Sequence, residues 1–432
     1  MITLALAGLL LAPPAAAAAV PPFDAAASSA AEAAPLPITL DEAYDAALKR
    51  SEAVAEKGET YAQVMAELDV LWSDVKPRLN LEATQTWQDT QGPNEAFTIP
   101  SNQHVVAINA QQPLFSGLRD FLAVKAGRAQ GESAQFAYRR AKQLLYQDVA
   151  NAYLNLLQSH RDIATHESQV ELIAGQVKVL KDFEDIGRSR RSEVLAAEAQ
   201  EALDAADLET SRGLERVQQA TLRFLTGIDR DMAPLEIPVP QAADLEPFLD
   251  RAQHRADVEG ARKDLEYSDL YVSIQRRQYW PTVSLGGNYY LERTTPFYGH
   301  VDWDATLTGQ MPIYWGGQIG AQTREAQAQR GFNEQALSLA LRTAELDVRS
   351  AHDDLISDLA IVGALEKAMT LAEANAKAQA VDYRHGLVTN IDVLTSLTTV
   401  QITRLSLDAA EIQAYYARVR LEVAAGGPAS AL

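Results

Sequence analysis

The chain has 432 residues, 47% of them hydrophobic and 22% charged, enough apolar material to bury a large core, and its formal net charge is −20. That charge argues against a nucleic-acid partner, which would need clustered Lys and Arg. It reads either as a solvated acidic surface or as carboxylates lining a pore that favours cations. Cysteine is absent, which excludes disulfides, thiolate metal sites, a cysteine nucleophile and an acylated cysteine anchor.

Residues 1–19 hold an apolar run from Leu4 to Ala12, then Pro13-Pro14 and five alanines, the pattern of a secretory signal peptide cleaved near Ala17 to Ala19. The run is too short to cross a bilayer, and no later segment reaches 18 consecutive apolar residues. An exported protein with no helical anchor is expected. Residues 20–37, rich in Ala and Pro, read as a loose N-terminal tether. Residues 38–75 place apolar side chains at helical spacing, with Thr39 as N-cap and Glu42 three residues on.

At Pro77 the period changes to two. Leu79, Leu81 and Ala83 alternate with Arg78, Asn80, Glu82 and Thr84. After a turn-rich stretch with Gly92-Pro93-Asn94 and Pro100, Val106, Ile108 and Ala110 alternate with Ala107, Asn109 and Gln111. From Gly117 to Gly187 there is no proline, and Leu145, Val149, Ala152, Leu156 and Ile163 fall at spacings of three, four or seven. At about 1.5 Å per residue, roughly 70 residues make a rod of about 105 Å. Helices of that length must pack side by side as coiled coils. The first half closes near residue 227, and residues 228–250, with their prolines, link it to a second half over 251–426 and a tail, 427–432.

The second half repeats the order of helix, two strands and two long helices. Val283, Leu285, Gly287, Tyr289 and Leu291 alternate with Thr282, Ser284, Gly286, Asn288 and Glu292. Val301, Trp303, Ala305, Leu307 and Met311 oppose Asp302, Asp304, Thr306, Thr308 and Gln310. Pro113-Leu114-Phe115-Ser116-Gly117 returns 199 residues on as Pro312-Ile313-Tyr314-Trp315-Gly316. At the same offset Asp148-Val149 matches Asp347-Val348, Ala152 matches Ala351, Gly187 matches Gly386 and Val194-Leu195 matches Val393-Leu394. The period is too long for a solenoid, so this is a duplicated half.

Four strands of about ten residues, each with an apolar and a polar face, suit tilted strands crossing a bilayer. Trp280, Trp315, Trp87 and Tyr290 sit near strand ends, where interfacial aromatics belong. Four strands cannot close a barrel, and open edges are not viable in lipid. The chain is therefore expected to pool its strands with other copies.

Pro77-x-Leu79-x-Leu81, Pro113-Leu114-Phe115-x-Gly117 and the stretch Tyr383-x-x-Gly386-Leu387-Val388-x-x-Ile391-Asp392-Val393-Leu394 resemble the TolC-like outer-membrane efflux family, from about Leu40 to Leu421. The resemblance implies a mainly α protein with a membrane β-barrel: a long α-helical coiled-coil barrel plus four β-strands per protomer, contributing to a twelve-stranded barrel in a homotrimer. It implies an equatorial belt made by the shorter helices and residues 228–250. It also implies a passive channel from the outer membrane across the periplasm of a Gram-negative bacterium. Drugs, small molecules or proteins would enter it from an inner-membrane pump, ABC or proton-driven, through a periplasmic adaptor protein.

In that family the helix-hairpin turns form the periplasmic tip and meet the adaptor. Here these are Phe183 to Leu195, with Gly187, Arg188, Arg190 and Arg191, and Tyr383 to Leu394, with Gly386, Leu387 and Val388. Asp392 falls where the family places a constriction carboxylate, and Glu193 is its first-half counterpart. Three copies of each would form acidic rings that bind cations. Asp392 also reads as a carboxylate favoured by a helix N-terminus. The sequence departs from the family at Thr395, where some members carry a further acid, and in its basic first tip. Those arginines read either as partners of Asp392, Asp185 or Glu193 that lock a closed state, or as solvated charges.

No His-x-x-x-His pair, phosphate loop or Gly-x-Ser-x-Gly is present, so neither an enzyme nor a cofactor or metal is expected. The rival reading is a soluble periplasmic coiled-coil adaptor or scaffold.

Overall fold

The computed structural model describes residues 35–88, 102–294 and 301–427. The expected signal peptide, nearly all of the tether, the turn at Gly92-Pro93-Asn94 with Pro100, and residues 428–432 lie outside them. The first helix, α1 (Leu40–Arg50), starts where the sequence signals it. The Thr39 amide donates to the Glu42 carboxylate at 2.9 Å, and the Glu42 amide donates to the Thr39 hydroxyl at 3.2 Å. The single helix expected over 38–75 is in fact two. Ser51 is extended (φ −64, ψ 111) and caps α2 (Glu52–Ser73) by accepting from the Val54 amide. A serine between Lys49-Arg50 and Glu52 satisfies the end of one helix dipole and the start of the next.

The strands β2 (Arg78–Trp87), β3 (Asn102–Phe115), β5 (Thr282–Arg293) and β6 (Trp303–Gln310) form one antiparallel sheet in the order β2-β3-β5-β6. Two short strands, β1 (Leu36–Ile38) and β4 (Met232–Pro234), pair separately and in parallel. Register in the large sheet sorts the side chains into rows. Leu81, Ile108, Tyr289 and Trp303 stand opposite one another on one face, and Asn80, Asn109, Asn288 and Asp304 on the other. The second row is bonded across strands, Asn109 to Asn288 at 2.7 Å and Asn288 to Asp304 at 2.9 Å. Leu79 and Leu81 are each 70% exposed, so the apolar face is not the wall of a core within this chain.

The proline-free run from Gly117 to Gly187 and its second-half counterpart from Gly317 to Gly386 become α3 (Arg119–Asp185) and α7 (Gln318–Arg384), each of 67 residues and so about 100 Å long. Each folds back on a shorter partner, α4 (Arg191–Thr226) and α8 (Asn390–Ala424). Between the hairpins run α5 (Glu246–Ala252) and α6 (Ala256–Arg276). Among the described residues no helix is long and apolar enough to cross a membrane.

The duplication extends into the packing. One core cluster buries Leu145, Val149, Ala152, Leu156 and Leu222 around Tyr44. A second buries the residues 199 positions later, Ala344, Val348, Ala351, Leu355 and Leu421, around Phe248. Both hairpins hold the inter-half segment by a polar tip at the same position. The Tyr153 hydroxyl donates to the Leu235 carbonyl at 2.9 Å, and its counterpart His352 places Nε2 3.0 Å from the Ala243 carbonyl oxygen. Arg255, 2% exposed, ties the start of α6 to Asp257 and to Asp347 of α7.

Candidate functional site at the helix turns

Both hairpin turns are built the same way. In the first, the Gly187 amide donates to the Glu184 carbonyl at 2.9 Å and the Arg188 amide to Phe183 at 2.7 Å. In the second, Gly386 donates to Tyr383 and Leu387 to Asp382, each at 3.0 Å. This is the Schellman arrangement, in which the residue past the cap turns left-handed and the last carbonyls find donors. Gly187 (φ 76) and Gly386 (φ 72) supply that conformation, which a Cβ would strain.

The turns differ in how the returning helix begins. In the second, the Thr389 amide and hydroxyl both donate to the Asp392 carboxylate, at 2.8 and 2.5 Å. Those bonds hold the Asp392 carboxyl below its usual range, the hydroxyl contributing most. Asp392 therefore closes the helix start, as a carboxylate at this position is expected to, and remains exposed. In the first, Arg190 sits at the cap with no side-chain bond, and Glu193 accepts from the Ser189 hydroxyl at 2.9 Å.

Arg188 and Arg191 take partners other than the acids the sequence suggested. Arg191 pairs with Glu184 at 3.3 Å, because the first residue of α4 lies across the turn from the last helical turn of α3. The Arg188 guanidinium lies over the Phe183 ring, 5.0 Å from its centroid. Among the described residues, no bond joins these arginines to Asp392, Asp185 or Glu193. Leu387, 73% exposed, stands at the outer side of its turn, while Val388 is half-buried.

Inside the chain the turns are joined side by side. Phe183 packs on Tyr383 with ring centroids 6.1 Å apart, and the Gln176 amide donates to buried Asn390 at 2.9 Å. Ile173, Val177, Leu180 and Val194 close an apolar cluster with Leu394 beneath them. Burial, and then the nearby Glu193 charge, push the Tyr383 hydroxyl up from its ordinary range. Sequence reasoning missed Phe183, Gln176 and Asn390 as contacts because each meets a residue more than 190 positions away. Farther along the bundle, Arg161 of α3 bonds Glu411 of α8 at 2.7 Å. Beside it Asp162 is pushed up to about 6, by burial first and Asp408 second.

At the sheet, Trp87 ends β2 and is 76% exposed, whereas Trp280 and Trp315 lie at the helix-proximal end. Tyr290 does not belong with them. It faces the polar side, and its hydroxyl donates to Asp304 at 2.7 Å, because its strand position shares the parity of Asn288. The aromatics on the apolar face are instead Tyr289 and Trp303, directly opposite each other.

A family model described as outer membrane efflux protein matches residues 43–228 and 250–427. The chain belongs to the outer membrane efflux protein family. Within it, the chain is similar to outer membrane protein TolC of Escherichia coli (strain K12), 23% identical over 351 residues that cover 76% of this chain and 70% of the relative. It is also similar to outer membrane efflux protein BepC of Brucella suis biovar 1 (strain 1330), 24% identical over 72% of this chain and 70% of the relative. Among solved structures, CusC superposes with a TM-score of 0.80 at 17% identity, over 90% of this chain and 92% of that one. The outer membrane protein VceC from Vibrio cholerae superposes at 0.78 and 19% identity, over 90% and 96%. These superpositions establish the fold: long helical hairpins with a few strands, as in outer-membrane efflux channels. As a member of this family, the chain is an outer-membrane protein of a Gram-negative bacterium with an efflux-channel role.

Proposed function

We propose that this chain is one protomer of a homotrimeric duct. Twelve pooled strands form the barrel in outer-membrane lipid, and twelve helices form a tunnel through the periplasm. The observation that carries this reading is the four-stranded sheet, which among the described residues is open at both edges and is apolar on one face. Such a sheet is not viable in lipid until other copies complete it. The duct is passive: an inner-membrane pump supplies energy, and a periplasmic adaptor protein docks on the turns carrying Gly187, Arg188, Arg190, Arg191, Tyr383, Gly386, Leu387 and Val388. Exposed Leu387 beside a rigid glycine turn is the kind of apolar knob such a partner takes.

Asp392 and Glu193 supply the constriction, three carboxylates of each around the pore. The bonds that hold Asp392 ionised support its part in this reading. Purified in detergent, the protein should run as a heat-labile trimer and conduct in planar bilayers. Asp392→Ala combined with Glu193→Ala should raise single-channel conductance and weaken block by multivalent cations. Unchanged conductance and block would remove the acidic constriction. A monomer that is soluble without detergent and does not conduct would remove the duct and restore the adaptor reading.

A further inference from the structure

The two ends of the large sheet differ in charge. The segments that join it to the helices, residues 72–79, 114–128, 273–282 and 311–324, hold eight Lys and Arg against two Asp. That is a surplus of six positive charges in a chain whose net charge is −20. At the opposite end, strand-end residues 85–87, 102–104, 290–294 and 301–303 carry Arg293 against Glu292 and Asp302. Among the described residues the ion pair within the basic collar is Arg78 with Asp74, so most of its surplus is left for something outside the chain.

One of these cations is fixed at the edge of the apolar face. A bulge at Leu114 puts Phe115, rather than Leu114, opposite Val283, in line with the apolar row that continues through Leu285 to Tyr289. After α6, one turn of 3₁₀ helix, Arg277–Tyr279, brings the Trp280 ring to Phe115, with centroids 6.4 Å apart. The Arg277 guanidinium lies over Trp280, 5.7 Å from the ring centroid, and donates to the Gly117 carbonyl at 3.3 Å. Gly117 has φ 67, and a Cβ there would lie 2.8 Å from that of Trp280, so this close approach requires glycine. A guanidinium held by one ring face and one carbonyl still has N–H groups to donate. Trp280 is 49% exposed, and Arg276 beside the stack is exposed too.

We propose that the stack of Phe115, Trp280 and Arg277, with Arg276 alongside, binds the phosphate of an anionic phospholipid in the membrane leaflet nearer the helices. This rests on the reading of the sheet as part of a barrel in lipid. Acyl chains lying along Tyr289, Leu285 and Val283 bring their headgroup to the level of Arg277, where the apolar row ends. An arginine fork matches phosphate geometry, and its fixed orientation lowers the entropy lost on binding. The indole supplies an apolar body at the height where hydrocarbon meets headgroup. The surplus charge around the stack draws the anionic lipid to it. An acidic soluble partner would satisfy the charge but would have no use for the apolar row that leads to it.

The test is to titrate the detergent-purified protein with phosphatidylglycerol or phosphatidylcholine and count bound lipid by native mass spectrometry. Phosphatidylglycerol should bind several-fold more tightly at low salt and lose most of that advantage at high salt. Arg276→Gln combined with Arg277→Gln should lower its affinity by about five- to thirtyfold, the weight of one or two cations at an anionic surface, and leave phosphatidylcholine unchanged. Arg277→Lys keeps the charge without the stacked fork and should bind phosphatidylglycerol less tightly than the unsubstituted chain. Millimolar inorganic phosphate should displace little of the lipid, because it has no acyl chains for the apolar row. In an intact oligomer, equal affinity for the two lipids, or full affinity in the double variant, overturns the lipid site. Full affinity in Arg277→Lys overturns the role of the stack, and ready displacement by inorganic phosphate reduces the site to an anion site and overturns the lipid. A chain that is soluble without detergent and forms no oligomer overturns the barrel instead.

Discussion

The first and second halves of the chain use the same backbone positions for their cores and different chemistry for their turns. Leu222 and Leu421 occupy equivalent buried sites, and Gly187 and Gly386 make equivalent left-handed turns. Yet one returning helix starts at an uncapped arginine and the other at a threonine closed by Asp392. A duplicated frame thus leaves the packing constrained in both copies while the tips are free to diverge. Buried leucines are fixed by their neighbours, whereas exposed turn residues answer only to backbone geometry and to whatever they meet.

The sharpest way to break this comparison is in the cores. Leu222→Ala and Leu421→Ala, both at fully buried sites, should each cost about 2–5 kcal/mol. Equal losses in thermal unfolding of the detergent-solubilised protein would bear out equivalent cores. A loss confined to one half would show that only that half carries the stability. Next come the turns. Gly187→Ala and Gly386→Ala add a Cβ with open space around it but at positive φ, so each should cost about 1 kcal/mol from backbone strain alone. A larger cost at one turn would mean that its side of the tip is packed by something beyond this chain. The Phe183–Tyr383 contact ties the halves together. A double-mutant cycle with Phe183→Leu and Tyr383→Leu should give a coupling of about 0.5–1.5 kcal/mol.

The smallest effect is a pH dependence at a position whose counterpart in the other half is not titratable. Asp162 is pushed up to about 6 by burial and by Asp408, and its second-half counterpart is Ile361. Its folded-state pKa lies above that of a free aspartate, so the folded state keeps a proton that the unfolded chain gives up between about pH 4 and 6. The buried charge therefore weakens the fold above pH 6, and the penalty lifts as pH falls through 6. Asp162→Asn should raise the melting temperature at pH 7.5 and raise it by much less at pH 4.5. A gain equal at both pH values would remove the titration as its cause.

Much of the frame was legible in the sequence because it rests on long, regular signals. Period-two alternation located all four strands of the large sheet, and proline-free helical spacing located α3 and α7 to within two residues of the flanking glycines. Thr39 and Glu42 announced a capping box that is present. The break at Ser51 went unread although its flanks, Lys49-Arg50 and Glu52, carry the charges of a helix end and a helix start. Strands β1 and β4 were illegible for another reason, since three residues paired across nearly two hundred positions leave no local pattern. The tip was legible as a turn but not as a cluster. Gly187 and Gly386 mark where the chain reverses, but nothing in one half announces that Phe183 will meet Tyr383, or Gln176 meet Asn390. Tyr290 was misplaced by its nearness to a strand end, when its parity with Asn288 already put it on the polar face.

The two 67-residue helices work as a pair of matched gauges. The halves drift out of step upstream, where Pro77 and Pro281 are 204 apart while Pro113 and Pro312 are 199 apart, so the length difference is absorbed between those prolines. None is absorbed from sheet to turn. One residue added to α7 alone would lengthen it by about 1.5 Å and rotate everything beyond it by about 100°, turning Met369 and Ala376 out of their packing and Tyr383 off Phe183. Sequence in the helices was free to change after duplication, but their count of residues was not, because both must deliver their turns to the same level.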